Sequence, residues 1–217
     1  MIFENRSDAA MKLAKIMKMQ SFLDPIVLGI PHGGIVTAAV LAKELNADFD
    51  VVLSRKIGAP NQQEFALGAI SEDGQVFLNP ALRESQIDLK EYLENEKKEQ
   101  LIEIKRREKL IRAILPQSAV AGRSVIVADD GIATGATMIA ALQCLRPRNP
   151  FKLIVATPVA SPSRLADVRP WCDEIFCLHS DDYLMSVGEF YMDFSPVEES
   201  QMLDIIREMS DIKSHSK

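Results

Sequence analysis

Short, uniformly apolar runs alternate along the chain with longer segments whose apolar residues recur at helical spacing. DPIVLGI (24–30), DFDVVLSR (48–55), SVIVA (124–128), FKLIVATPVAS (151–161) and DEIFCLHS (173–180) are the apolar runs, and each is predicted to be a short strand. Between and around them, SDAAMKLAKIMKM (7–19), IVTAAVLAKEL (35–45), ATGATMIAALQCL (133–145), SRLADVRPW (163–171) and VEESQMLDIIREM (197–209) carry helical periodicity, the first with Ser7 and Asp8 available as caps. Strands that read as buried on both faces, alternating with helices, predict an α/β fold with a mostly parallel sheet flanked by helices. Ligands of such sheets bind at the carboxyl ends of the strands, so the turns that follow the strands are where chemistry is expected.

Two stretches break the alternation. SRKIGAPNQQEFALGA (54–69) is too rich in Gly, Pro, Asn and Gln to be regular throughout and is expected to be a long loop, and ALGAISEDGQVFLN (66–79) to be a hairpin around its Asp-Gly turn. From Arg83 to Leu115 the chain is strongly charged and free of Gly and Pro, acidic first and basic later, as the helix macrodipole favours. This predicts a long helix, or two joined near Glu96, packed by one apolar stripe. No linker or repeat divides the sequence, which predicts one domain over 1–217: a core at about 20–180, the helical insertion at about 83–115 and a small C-terminal hood at about 181–217.

Composition narrows the function classes. The chain has 217 residues, 47% of them hydrophobic and 26% charged, which is ordinary for a globular protein and long enough for a substantial core. A net charge of -6 argues against a nucleic-acid-coating or membrane-surface protein. No apolar stretch approaches a membrane span, and MIFENRSDAAMK lacks the order of a signal peptide, so a cytoplasmic location is expected. The 3 cysteines, Cys144, Cys172 and Cys177, match no zinc spacing and are expected to be reduced thiols.

Two turns carry candidate chemistry. VIVADDGIATGAT (125–137) places Asp129 and Asp130 at a strand end, followed by a loop of small residues that opens a helix. Gly135 is followed by Ala136 rather than Lys, which rules out a P-loop, and two glycines are too few for the dinucleotide fingerprint. A helix N-terminus with free backbone amides, joined by the hydroxyls of Thr134 and Thr137, suits a phosphate. The adjacent carboxylates suit the vicinal hydroxyls of a ribose, or Mg2+ held through water. IPHGG (30–34) is the second turn, where Gly33 and Gly34 permit close approach of a bulky anion.

The run DDGIATGAT resembles the phosphoribosyl diphosphate (PRPP) signature of type I phosphoribosyltransferases. The resemblance extends over nearly the whole chain. It is closest to a bacterial group without an assigned base, through RKIGAP, DDGIATGATM, VGEFYMDF and the long charged helix. It implies the type I phosphoribosyltransferase fold and Mg2+-dependent transfer of ribose 5-phosphate from PRPP to a nitrogenous base or related amine, with release of pyrophosphate. Gly131, Ile132, Ala133, Thr134, Gly135, Ala136 and Thr137 would hold the 5-phosphate, and Asp129 and Asp130 the ribose hydroxyls and, through water, the metal. Pro31, His32, Gly33 and Gly34 would bind the pyrophosphate. Arg55 and Lys56, on the family's mobile loop, would meet the diphosphate charge. Tyr183, Phe190, Tyr191 and Phe194 are candidates for stacking the base.

The family implies a small-molecule base or amine as second substrate, and a homodimer is usual for it; with the acidic charge balance, no nucleic-acid or membrane partner is expected. Ala133 stands where hypoxanthine-guanine enzymes carry an acid, which weighs against a 6-oxopurine. Two other classes compete: a PRPP or nucleotide sensor that keeps the site without turnover, and a phosphomonoester hydrolase using Asp129, for which no second acidic cluster follows.

Overall fold

The computed structural model describes residues 1–59, 62–72, 74–78 and 90–215. Five strands form a parallel sheet: β1 (Ile26–Gly29), β2 (Asp48–Val51), β6 (Ser124–Ala128), β7 (Lys152–Ala160) and β8 (Glu174–Ser180), in the order β2-β1-β6-β7-β8. Successive side chains of a strand leave on opposite faces, and the core divides accordingly. Val27, Phe49, Val51, Ile126, Ala128, Ile154 and Ala156 share one cluster, while Ile26, Leu28, Val125, Val127, Leu153 and Val155 share the other.

Helices α1 (Arg6–Met17) and α2 (Gly33–Leu45) cover the first face together with the C-terminal helix α6 (Glu199–His215). Met202, Ile206 and Met209 of α6 belong to that main core, so this helix packs on the body of the sheet instead of forming part of a hood. The second face is covered by α4 (Ala136–Leu145) and by Val168 at the end of α5 (Pro162–Val168). The cap of α1 is Asn5, whose side chain accepts the Asp8 N–H; Ser7 and Asp8, expected as caps, lie within the helix. Cys144 is buried and Cys172 and Cys177 are half-buried; none of the three is in a disulfide, and burial pushes the thiols of the latter two up to about 11.

A second sheet corrects the loop expected over 54–69. β3 (Ser54–Ala59) pairs antiparallel with β4 (Gln62–Ser71), and β4 with β5 (Val76–Leu78). The register shifts around Gly58, a bulge that absorbs the glycine which made the segment read as irregular. The β4–β5 pair is the hairpin expected around the Asp-Gly turn, with Gly74 at φ 80°. The charged segment forms α3 (Lys90–Arg112) as one continuous helix; residues 83–89 of the expected insertion lie outside the described residues. Ile104 packs with Ile57, Leu67 and Ile70 of the small sheet, whereas Ile111 joins the main core.

One ion cluster ties the small sheet, α3 and the main sheet together. Arg112 at the end of α3 reaches Asp50 of β2 at 2.5 Å and Glu72, just beyond β4, at 3.1 Å. Asp50 also accepts the backbone N–H of Ser118 and of Val51. Burial holds Glu72 above the usual carboxylate range in spite of the guanidinium beside it. No helix among the described residues is long and apolar enough to cross a membrane.

Candidate active site

The strand order reverses between β1 and β6: from β1 the chain runs outward to β2, and from β6 it runs the other way to β7 and β8. The crevice outside the carboxyl ends of two such strands is where open parallel sheets accept ligands, because the flanking loops diverge there. β1 ends at Gly29 and leads into Ile30 and Pro31–Gly34; β6 ends at Ala128 and leads into Asp129–Thr137. Both turns singled out in the sequence therefore face one crevice.

The two turns pack against each other so closely that only glycine fits. A Cβ on Gly34 would lie 2.7 Å from the Ala128 carbonyl oxygen and 2.9 Å from Asp129 Oδ1, and one on Gly33 would lie 1.9 Å from Asp130 Oδ2. Gly33→Ala is thus expected to displace the Asp130 carboxylate. For any ligand that the Asp130 carboxylate holds, calorimetry should show affinity falling about tenfold or more, a loss of roughly 1.4 kcal/mol, while the protein remains folded. His32 precedes α2, joined to Pro31 by a cis peptide bond, and its Nδ1 donates to the Val197 carbonyl at 3.0 Å.

The acid pair is held asymmetrically. Asp129 Oδ1 accepts the backbone N–H of Asp130 at 3.0 Å. Burial, and then the neighbouring charge of Asp130, push the Asp129 carboxyl well above its ordinary range. Asp130 instead makes an ion pair with Arg6, Oδ2 to Nε at 2.6 Å, in which the two side chains are only 14% and 11% exposed. Arg6 also donates to the Ser195 carbonyl, and its guanidinium lies 3.9 Å from the centroid of the Phe194 ring. Arg6 escaped the sequence reading because it stands 124 residues from its partner in a segment that reads only as a helix start.

Beyond the acids, Gly131 packs against Val187, and the Ile132 N–H bonds to the Val159 carbonyl, so the loop first runs beside β7. Ala133, Thr134 and Thr137 are exposed, and Gly135, at φ 79°, turns the chain into α4, where Thr134 Oγ1 accepts the first helical N–H, that of Ala136, at 3.4 Å. The N–H groups that remain at this helix N-terminus suit an anion.

Of the four aromatic candidates, Tyr191 is a core residue. Its ring lies between Phe3 and Phe194, at 5.4 and 4.8 Å between centroids, and its hydroxyl donates to the Asp130 carbonyl at 2.5 Å. It therefore braces the acid pair and presents no open face. Phe194 is shared between Tyr191 and Arg6, Phe190 is half-buried beside His179, and Tyr183 is 88% exposed.

Arg55 and Lys56, placed by β3, line a cavity of about 240 Å3 together with Pro31, Thr137, Gln100 and Arg107. The cationic pair is thus brought beside the Gly131–Thr137 loop, and it stands on a strand. Gln100 Oε1 accepts the Arg55 Nε–H at 2.6 Å.

The family model for the phosphoribosyl transferase domain matches residues 2–194. The chain belongs to the phosphoribosyl transferase domain family. Two Mycobacterium tuberculosis proteins, provisionally named phosphoribosyl transferases, are 36% identical over 203 residues, which is 93% of this chain and 46% of the relatives. The chain thus spans about half the length of the curated relatives it matches. A crystal structure of a Thermus thermophilus protein superposes with a TM-score of 0.89 at 38% identity, covering 96% of this chain and 99% of that one. An Aquifex aeolicus protein shares the fold alone: the TM-score is 0.50 at 14% identity, over 81% of this chain and 73% of that one. The α/β architecture, with its parallel sheet flanked by helices, is that of this phosphoribosyl transferase family.

Proposed function

We propose that this phosphoribosyl transferase family member moves ribose 5-phosphate from PRPP to a nitrogenous base or related amine, releasing pyrophosphate. The observation that carries this proposal is the layout of charge around one crevice. The acid pair stands at the tip of β6, the N-terminus of α4 follows it, and a cavity with three cationic side chains adjoins Thr137.

Each part of PRPP has a matching partner. Asp129 and Asp130 accept hydrogen bonds from the ribose hydroxyls, and Gly131–Thr137 take the 5-phosphate through backbone amides and the hydroxyls of Thr134 and Thr137. Pro31–Gly34, Arg55 and Lys56 take the diphosphate. Departure of pyrophosphate leaves a cationic ribosyl centre and concentrates negative charge on the leaving group. Fixed cations in the cavity stabilise that charge without reorganising. No side-chain nucleophile is needed, because the base nitrogen supplies the electron pair.

Mg2+ suits the same donors. It is commonly held by one or two carboxylates together with substrate phosphates, and two carboxylates are what this crevice offers. Among the described residues, no group of three or more His, Cys, Asp or Glu is placed to hold a metal by protein ligands alone. When bound, the ion would neutralise part of the diphosphate charge. The base is assigned to the side of the crevice bordered by the tail, with Tyr183 and Phe190 as the rings nearest to open solvent.

Calorimetry with PRPP and Mg2+ tests the binding half of this proposal. Binding is expected for the wild type and expected to disappear in Asp129→Asn combined with Asp130→Asn. Binding that survives the double substitution would remove the acids from the ribose site.

A further inference from the structure

The long helix α3 reads in the sequence as a solvated element, yet it sends Arg107 into the cavity that holds Arg55 and Lys56. We infer that Arg107 is a third cation of the diphosphate site, so that the helical insertion is a working part of the phosphoribosyl transferase. This inference rests on the PRPP-binding proposal above.

Three observations carry it. First, Arg107 and Gln100 of α3 line one cavity with Pro31 and Thr137, so the helix closes a space that both anion-binding turns open into. Second, the Arg107 Nε–H is buried and unsatisfied. Its neighbour is Glu103 Oε1 at 2.9 Å, an ion-pair contact that makes no hydrogen bond. A buried donor whose neighbouring acceptor is poorly placed gains from an anion entering the cavity. Third, the like charges are close enough to disturb each other: burial first, and then the charge of Arg107, pull Arg55 below the usual guanidinium range. A cavity that gathers like charges in partial burial is suited to a multiply charged anion, since a diphosphate converts the repulsion into paired, charge-assisted hydrogen bonds.

α3 also orients the cation already assigned. The Arg55 Nε donates to Gln100 Oε1 at 2.6 Å, and Glu103, one turn on, restrains Arg107. The helix therefore holds both guanidinium groups, one as scaffold and one as carrier. Through Ile104 it packs on Ile57 of the same strand that carries Arg55 and Lys56.

The test compares two ligands on the full chain by calorimetry in Mg2+ buffer: inorganic pyrophosphate, which the cationic cavity and the adjoining Pro31–Gly34 turn should hold, and ribose 5-phosphate, which the Gly131–Thr137 loop should hold. Arg107→Ala is expected to weaken pyrophosphate about tenfold or more and to leave ribose 5-phosphate unchanged. Arg107→Lys, which keeps the charge and loses the planar fork, should lose less than Arg107→Ala. Should Arg107→Ala fail to fold, Arg107→Lys and Arg107→Gln provide the same comparison between a retained and a lost charge. Unchanged pyrophosphate affinity in a folded Arg107→Ala or Arg107→Gln variant overturns the inference, and so does an equal loss for both ligands. Wild-type protein that binds ribose 5-phosphate and not pyrophosphate also overturns it, while the ribose-phosphate site stands. Protein that binds neither ligand overturns the PRPP proposal itself.

Discussion

Asp129→Asn is expected to make the protein more stable and nearly inactive. Burial and the adjacent Asp130 raise the Asp129 carboxyl well above its ordinary range, so the folded state holds that proton at pH values where the unfolded chain has released it. The sign follows. Below the unfolded value both states are protonated and the group is neutral to stability. As pH rises toward the folded value its ionisation costs the fold progressively more, and beyond the folded value the full cost persists. Asparagine removes that cost and keeps an oxygen for the Asp130 N–H now bound at 3.0 Å. A gain of about 1 kcal/mol is expected, or roughly 2–4 °C in melting temperature for a chain of this size. Transfer from PRPP should meanwhile fall by about a hundredfold or more, as for loss of one preorganised group at a reacting centre. Melting curves at pH 5 and pH 8 check the sign: the advantage over wild type should be greater at pH 8. A variant less stable than wild type at both pH values would contradict this account of the acid pair.

Arg112→Met is expected to have the largest effect on stability. Arg112 stands between Asp50 and Glu72, with side-chain exposures of 15%, 3% and 13%, and it also donates to the Val51 carbonyl at 3.1 Å. Methionine leaves two buried carboxylates without their cation. Breaking a buried pair from one side costs about 3–5 kcal/mol, against a total stability of roughly 5–15 kcal/mol. A fall of the order of 10 °C in melting temperature should follow. Glu72 already sits above the usual carboxylate range, so the variant should recover part of its deficit toward acid pH, where that carboxyl is protonated in the fold. Replacing Asp50 and Glu72 by Asn and Gln in the Arg112→Met background should restore much of the loss. Failure of that rescue would assign the effect to packing instead of charge.

What was legible in the sequence is what local pattern encodes. SVIVA is buried at all five positions because both faces of a central parallel strand are covered, and an uninterrupted apolar run is how such a strand reads. The turns at Pro31–Gly34 and Asp129–Thr137 were legible because a glycine next to a strand tip has few structural alternatives. The loop expected at Ser54–Ala59 was not legible as a strand: Gly58 lowers strand propensity, and the bulge that accommodates it depends on the partner strand.

Side-chain partners were the least accessible part. Arg6 and Asp130 are 124 residues apart, Arg55 and Gln100 are 45 apart, and Arg112 and Asp50 are 62 apart, so no local window contains both members of any pair. Arg107 was hidden for a different reason. In a helix with Lys105, Arg106, Arg107 and Lys109 so close together, nothing in the sequence distinguishes the member of that group that lines the cavity. Tyr191 shows the converse: an aromatic residue in a polar tail resembled a stacking platform, and its ring is instead closed between Phe3 and Phe194. The stripe Met202, Ile206 and Met209 announced an amphipathic helix, while its docking onto the main core followed only from the tertiary structure.

A crevice that transfers ribose 5-phosphate, and does not merely hold PRPP, turns over once its acceptor is supplied. Pyrophosphate release tests this turnover most directly, with the full chain incubated with PRPP, Mg2+ and, one at a time, a panel of purines, pyrimidines and simple amines. Release is expected to depend on one member of the panel and to fall about a hundredfold or more in Asp129→Asn. Tight PRPP binding with no release for any acceptor would contradict transfer and make the protein a PRPP sensor.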